Sequence, residues 1–160
     1  MAKRATSRKS LKATAIALLA RREFARAEIR KRLAARGYPR EEIDVVLDDL
    51  ERAGFLSDVR YAQAAVAQRA GSYAKRAIAH ALKEKGVDAS TAATALAELS
   101  HSDEVADAAT LWQRRFGTPP TDEREKARHV RFLLSRGYSM SVALKVLRSA
   151  GARVDSDDAT

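Results

Sequence analysis

No cysteine occurs anywhere in the 160 residues, which removes disulfides and every thiolate metal site at once. That lack is compatible with a reducing cytoplasm, the location expected here. Three prolines, seven glycines and 6% aromatic residues are too few for a turn-rich β architecture. No apolar run approaches the roughly 20 residues needed to cross a bilayer, and no membrane partner is expected. His80, His101 and His129 stand apart, none with a second ligand three or four residues away on one helix. Gly-rich phosphate loops, nucleophile elbows and His-Glu-x-x-His runs are all missing. Asp48 and Asp49 are neighbours, so on a helix they point in different directions and read as a solvated face, not an acid–base pair. With no catalytic, cofactor or metal constellation, the chain reads as a binding protein and not an enzyme.

What is present is repetition. Leu33-Ala34-Ala35-Arg36-Gly37-Tyr38 returns as Leu82-Lys83-Glu84-Lys85-Gly86-Val87 and again as Leu133-Leu134-Ser135-Arg136-Gly137-Tyr138. Ten residues beyond each glycine stands a leucine: Leu47, Leu96 and Leu147. A period near fifty marks an array of like units. The glycine suits the left-handed residue that closes a helix, and the cation before it suits the negative end of the helix dipole. Much of the repeat is therefore helix punctuation.

Alanine supplies much of the 46% apolar content, which favours closely packed helices. The sequence predicts an all-α fold of three tandem three-helix repeats in an elongated, curved array whose hand stays open. Residues 1–9 read as a disordered basic tail. Repeat 1 covers 10–56, with helices at about 10–22, 24–36 and 40–53; repeat 2 covers 57–100, with helices at about 58–70, 73–85 and 89–99. Repeat 3 covers 101–151, with Ser102, Asp103 and Glu104 opening its first helix, Gly117-Thr118-Pro119-Pro120 ending it, and later helices reaching about 136 and 149. Residues 152–160 read as a flexible acidic tail. The buried stripes are Leu11, Ala15, Leu18 and Leu19; Ala25, Ile29 and Leu33; Ile43, Val46, Leu47 and Leu50; Val105, Ala109, Trp112 and Phe116; Ala127, Val130 and Leu134; and Val142, Val146 and Leu147. The basic start followed by apolar Ala13–Ala20 faintly imitates a cleaved leader. The amphipathic stripe and the following Arg21 and Arg22 favour a helix of the fold.

The formal charge is +9, unevenly spread: residues 1–40 carry 13 cations against two acids, residues 41–70 seven acids against three cations, and residues 121–151 seven cations against three acids. Such a chain suits a polyanionic or acidic partner. Three stretches form the candidate basic surface. Arg22, Arg26 and Arg30 fall on one line of the second helix of repeat 1, Lys75 and Arg76 stand at the same stage of repeat 2, and Arg124, Arg128 and Arg131 follow i, i+4, i+7 in repeat 3. A cationic row on the equivalent helix of each repeat could track a phosphate backbone or an acidic groove; solvated helix faces with local Glu–Arg pairing would look the same. A helix-turn-helix regulator of DNA and a generic helical scaffold for proteins stay open as alternatives.

Certain residues carry a resemblance. Arg36-Gly37-Tyr38, then Leu47-x-x-Leu50-x-x-x-Gly54-Phe55-Leu56-Ser57-Asp58-x-Arg60-Tyr61-Ala62, then Lys85-Gly86-Val87 and Leu134-Ser135-Arg136-Gly137-Tyr138-Ser139, resemble the RecX regulators of bacterial recombination over about residues 10–150. The Gly-Phe-Leu-Ser-Asp-x-Arg-Tyr-Ala segment is the most distinctive piece. Ser57 stands where that family often has an acid or amide, and Ala92 and Ala95 where larger residues often pack. The resemblance implies a non-enzymatic monomer, without cofactors, that lodges in the groove of the RecA recombinase filament on DNA. It also implies restraint of ATP hydrolysis, strand exchange and filament extension, with weak, non-sequence-specific affinity for DNA.

Overall fold

A computed structural model describes the backbone of residues 2–99 and 103–157 and the side chains of residues 10–99, 103–153, 155 and 156. The described residues form nine α-helices and no strand: α1 (Ala2–Arg21), α2 (Arg26–Ala35), α3 (Arg40–Arg52), α4 (Asp58–Arg69), α5 (Lys75–Glu84), α6 (Ala89–Ala97), α7 (Glu104–Arg115), α8 (Glu123–Ser135) and α9 (Met140–Asp157). In chain order they make three triplets, so the fold is all-α and built of three-helix repeats. Packing divides the chain into two compact units, the described parts of Met1–Gln68 with Ala79–Glu98 and of Arg69–Ile78 with Leu99–Thr160.

In the first unit α1 and α2 pack on α3. Ile43, Val46, Leu47 and Leu50 of α3 follow i, i+3, i+4, i+7 and are all buried, meeting Leu11, Ala15 and Leu18 of α1 and Ile29 and Leu33 of α2. Burying each such aliphatic side chain contributes about 1.5–3 kcal/mol. Ala62 and Val66 of α4, with Ala92 and Ala95 of α6, are also buried; repeat 2 thus packs smaller side chains.

In the second unit α7 and α8 pack on α9 through Ala108, Leu111 and Trp112, Val130 and Leu133, and Val142, Ala143, Val146 and Leu147. Two stripes expected from the sequence are rotated here. On α7, Val105, Ala109 and Phe116 are only half-buried while Ala108 and Leu111 are covered. On α8, Ala127 and Leu134 face out, and His129 and Leu133 take their places beside Val130. Alanine is too small to mark a face, and the polar label of His129 hides a core residue. Its Nδ1 accepts the Trp112 indole N–H at 3.1 Å, and its ring stacks on Phe116 at 3.8 Å between centroids.

The ends also differ from expectation. The backbone is helical from Ala2, where a loose basic tail was expected, and α9 continues to Asp157, past the expected end near 149. Neither stretch holds a proline, so nothing in either breaks a helix already nucleated by its packed neighbours. Ser102 and His101 lie outside the described residues; Asp103 caps α7, accepting the Val105 amide at 3.1 Å.

The repeated glycine serves two purposes. After α5 the Val87 amide donates to the Leu82 carbonyl at 3.1 Å and the Gly86 amide to Lys83 at 3.0 Å; after α8 the same bonds, Tyr138 to Leu133 and Gly137 to Leu134, measure 3.2 and 3.0 Å. This closure puts Gly86 and Gly137 at φ +81° and +93°, which side chains with a Cβ adopt only at a cost. Space imposes a second demand. A Cβ on Gly86 would lie 2.5 Å from Ala27 Cβ, and one on Gly137 2.5 Å from Ala77 Cβ, whereas one on Gly37 would meet nothing. The first turn of a repeat's second helix therefore lies against the turn that closes the second helix of the repeat that follows. The preceding cation also reaches back: Lys85 Nζ stands 3.6 Å from Glu28, and Arg136 donates to the Ser72 carbonyl at 3.2 Å.

Gly37→Ala should therefore cost about 1–2 kcal/mol, the backbone term alone. Gly137→Ala should cost roughly 1–3 kcal/mol more through overpacking, and Ala77→Gly should recover part of that excess. Urea unfolding of the single and double variants measures the coupling; equal losses at the two glycines would show that the junction is loose. Leu133→Ala, at 0% exposure, should cost about 2–5 kcal/mol in the same assay.

His129 supplies a pH prediction. Burial holds its pKa below the usual imidazole value, Glu125 opposing and Arg128 assisting. The unfolded chain then binds this proton more readily than the folded one. The contribution to stability is complete above the unfolded value of about 6.5 and is lost as pH falls through it toward the folded value. Wild type should lose denaturant stability between pH 7.5 and 5.5. His129→Asn, which can still accept the indole N–H, should show a flatter profile; parallel profiles would clear His129.

Candidate binding surface

In the first unit the three candidate cations are engaged by acids. Arg22, expected on α2, instead lies in the link before it, because α1 ends at Arg21 and α2 begins at Arg26. Its guanidinium packs 3.6 Å from the Phe24 ring centroid and holds Glu28 at 2.7 Å. Only Arg26 and Arg30 of that expected row share a helix. Arg26 meets Asp48 at 2.8 Å and Glu51 at 3.0 Å, and Arg30 meets Asp44 at 2.9 Å. Asp48 is thus an ion-pair partner and not merely solvated. Burial would lower the Arg26 pKa, but Glu51 and Asp48 outweigh it and raise the value. Glu28, with only 8% of its side chain exposed, would be pushed up by burial. The hydrogen bond and charge of Arg22, joined by Lys85 and Arg32, hold it below the carboxylate range instead.

The Gly-Phe-Leu-Ser-Asp-x-Arg-Tyr-Ala segment forms a clip inside this unit. Ser57 Oγ accepts the Arg60 amide at 3.1 Å and caps α4, while Asp58 reaches back to accept the Arg26 amide at 2.7 Å, capping α2. Arg60 binds the Gly54 carbonyl at 2.8 Å and Glu23 at 2.9 Å. Leu56 and Ala62 are buried, whereas Phe55 is 54% exposed.

In the second unit, Arg76 donates to the Gly137 carbonyl at 3.0 Å, and Lys75 beside it is exposed at the start of α5. Arg124, Arg128 and Arg131 do share an exposed face of α8. Neither Arg124 nor Arg131 makes a hydrogen bond or ion pair with a described residue.

Beside that face runs a feature no charge row suggested. Phe116 carries Arg128 at 5.6 Å and Arg115 at 5.2 Å from its centroid, and meets Phe132 edge-on at 5.4 Å. Phe132 carries Arg115 at 5.9 Å and Arg136 at 5.1 Å. Arg136 also lies 4.8 Å from the Tyr73 centroid, with Arg69 at 5.5 Å on the same ring. Four guanidiniums and three half-buried rings thus alternate, and none of the four arginines forms an ion pair with a described residue. Part of this was visible in the sequence, since Arg128, Phe132 and Arg136 follow i, i+4, i+8. The joins to α7 and to the turn before α5 were not.

Among the described residues no group of three or more His, Asp and Glu gathers where a metal could sit, and no helix is long and apolar enough to cross a membrane. What the surface offers is cationic, planar and aromatic.

Models of the first, second and third three-helix domains of RecX match residues 12–50, 57–96 and 102–147. The regulatory protein RecX of Leptothrix cholodnii is 44% identical over 149 residues, covering 93% of this chain and 94% of that protein. That of Ralstonia nicotianae is 38% identical, covering 93% of each. The crystal structure of RecX from Lactobacillus salivarius superposes with a TM-score of 0.71 at 18% identity, covering 92% of this chain and 99% of that one. Three matched domains in order, on a helical chain with the same fold, leave one conclusion: this chain belongs to the RecX family of regulatory proteins.

Proposed function

We propose that this protein binds filaments of the RecA recombinase on DNA, lodging in the filament groove, and restrains ATP hydrolysis, strand exchange and filament extension. It acts as a cytoplasmic monomer without a cofactor, and its own affinity for DNA is weak and blind to sequence. Membership in a family of regulators supports a binding role. The observation that carries the reading is the α8 face, where Arg124, Arg128 and Arg131 stand exposed with no carboxylate paired to them. A filament on DNA presents phosphates and acidic protein surface together, and cations with no internal partner gain most from meeting either. Arg22, Arg26 and Arg30, already held by Glu28, Asp44, Asp48 and Glu51, support the fold more than the contact, and Lys75 and Arg76 extend the basic surface of the second unit.

Purified protein should lower DNA-dependent ATP turnover by RecA at or below equimolar ratio; unchanged turnover across that range would remove the proposal. The triple variant R124Q/R128Q/R131Q should weaken the effect while leaving helicity intact. Its salt slope on duplex DNA should become shallower by roughly 2–3 in log–log units, about 0.9 for each lost phosphate contact. A triple variant indistinguishable from wild type would show that this face is merely solvated.

A further inference from the structure

We infer that the alternating row of Arg128, Phe116, Arg115, Phe132, Arg136, Tyr73 and Arg69 is a binding site for single-stranded nucleic acid. It grips the backbone phosphates with its guanidiniums and accepts bases against its rings. The inference deepens the proposed filament role by naming the element that meets a strand, and it rests on that role only for its biological setting.

Three observations carry it. First, the guanidiniums are held by rings and not by acids. In the first unit Arg22 and Arg32 also lie over a ring, that of Phe24, but both stand within reach of the buried Glu28 carboxylate, so their charge is spent. In the second unit the four arginines make no ion pair with a described residue. Second, donor capacity remains. Arg115 and Arg128 are exposed and make no hydrogen bond to a described residue, and Arg136 gives the Ser72 carbonyl only one of its five N–H groups. A guanidinium lying near a ring is pre-ordered and weakly hydrated, and its fork matches two phosphate oxygens. Third, Phe116, Phe132 and Tyr73 are half-buried, so part of each ring reaches the surface, although one face of Phe116 is taken by the stacked His129. An acidic protein face would use the charges and ignore the rings. Duplex DNA would likewise use the charges, but its bases are stacked inward and cannot reach a ring. An unpaired strand uses both, as in strand-binding grooves that combine cations with stacking platforms.

Fluorescence anisotropy with a labelled oligothymidylate of about 20 nucleotides, measured without recombinase, tests this. Wild type should bind the single strand more tightly than a duplex of equal length. R115K/R128K keeps every charge but loses the planar forks and should bind the single strand roughly tenfold more weakly, with duplex binding little changed. Phe132→Leu should act in the same direction, and R26Q, which removes a cation already paired, should match wild type. Circular dichroism confirms that each variant is folded. Equal wild-type affinity for strand and duplex, or full retention of binding by both R115K/R128K and Phe132→Leu, would overturn the inference and leave the row as a packing feature. Displacement of the oligonucleotide by polyglutamate at equal charge concentration would overturn it in favour of an acidic protein face. The readout does not involve RecA. Loss of the filament reading therefore leaves this test intact, and a variant that drops the strand yet still restrains RecA separates the two.

Discussion

Alanine against glycine, closer than any added Cβ would permit, is the contact on which the repeat junctions rest. At Gly86 the partner is Ala27 and at Gly137 it is Ala77, each in the first turn of the preceding repeat's second helix. Steric exclusion of this kind is sharper than hydrophobic attraction, because repulsion rises steeply once atoms come inside van der Waals contact, and it acts here outside the core, at an exposed Gly86 and a half-buried Gly137. It also sets what lies next to it. Once Gly86 is seated, Lys85 falls beside Glu28; once Gly137 is seated, Arg136 falls beside the Ser72 carbonyl and over Tyr73. The same small-residue contact thus fixes an ion cluster around the buried Glu28 carboxylate in one unit and part of the arginine–aromatic row in the other. Gly37, with no repeat before it, keeps the backbone geometry and lacks the contact, which agrees with a junction running in one direction along the chain.

The sequence was most legible where large aliphatic residues mark a helix face. On α3 the four stripe residues are the four buried ones, and on α9 Val142, Val146 and Leu147 likewise face inward. It was least legible where the face is made of alanine, histidine and aromatics. Ala127 and Ala109 carry too little surface to fix a rotation, and Phe116 and Phe132 are shared between core and exterior. His129 enters the core only because the Trp112 indole satisfies it, and that partner is 17 residues away. The glycine turns were readable as helix closures from Leu-x-x-x-Gly alone. Their second role was not, since nothing local to Gly137 says that Ala77 will stand in front of it.

The binding surface divides in the same way. Spacing alone placed Arg124, Arg128 and Arg131 on one face of α8, and they lie there. Spacing could not tell a spent cation from an available one. Arg26 and Arg128 look alike in sequence, each amid acids and arginines, yet Arg26 faces the acidic side of α3 and Arg128 faces Phe116. The row from Arg69 to Arg128 draws on three separate segments, so no short window of sequence contains it.

The two ways of holding an arginine have different consequences for folding. Around Glu28 the charges are mutually necessary. Burial alone would raise that carboxyl's pKa, and only Arg22, Lys85 and Arg32 keep it ionised; taking one away leaves a buried charge with less compensation, which is expensive. An arginine lying over a ring incurs no such debt. If it leaves for a phosphate, the ring loses a contact worth about 0.5–1 kcal/mol at an exposed site, and no charge is left stranded. Arg22, Arg26, Arg30 and Lys85 are therefore bound to the stability of the fold, whereas the arginines over Phe116, Phe132 and Tyr73 can be given to a partner at small cost. That separation follows from where the acids of residues 41–51 sit, beside Arg26 and Arg30.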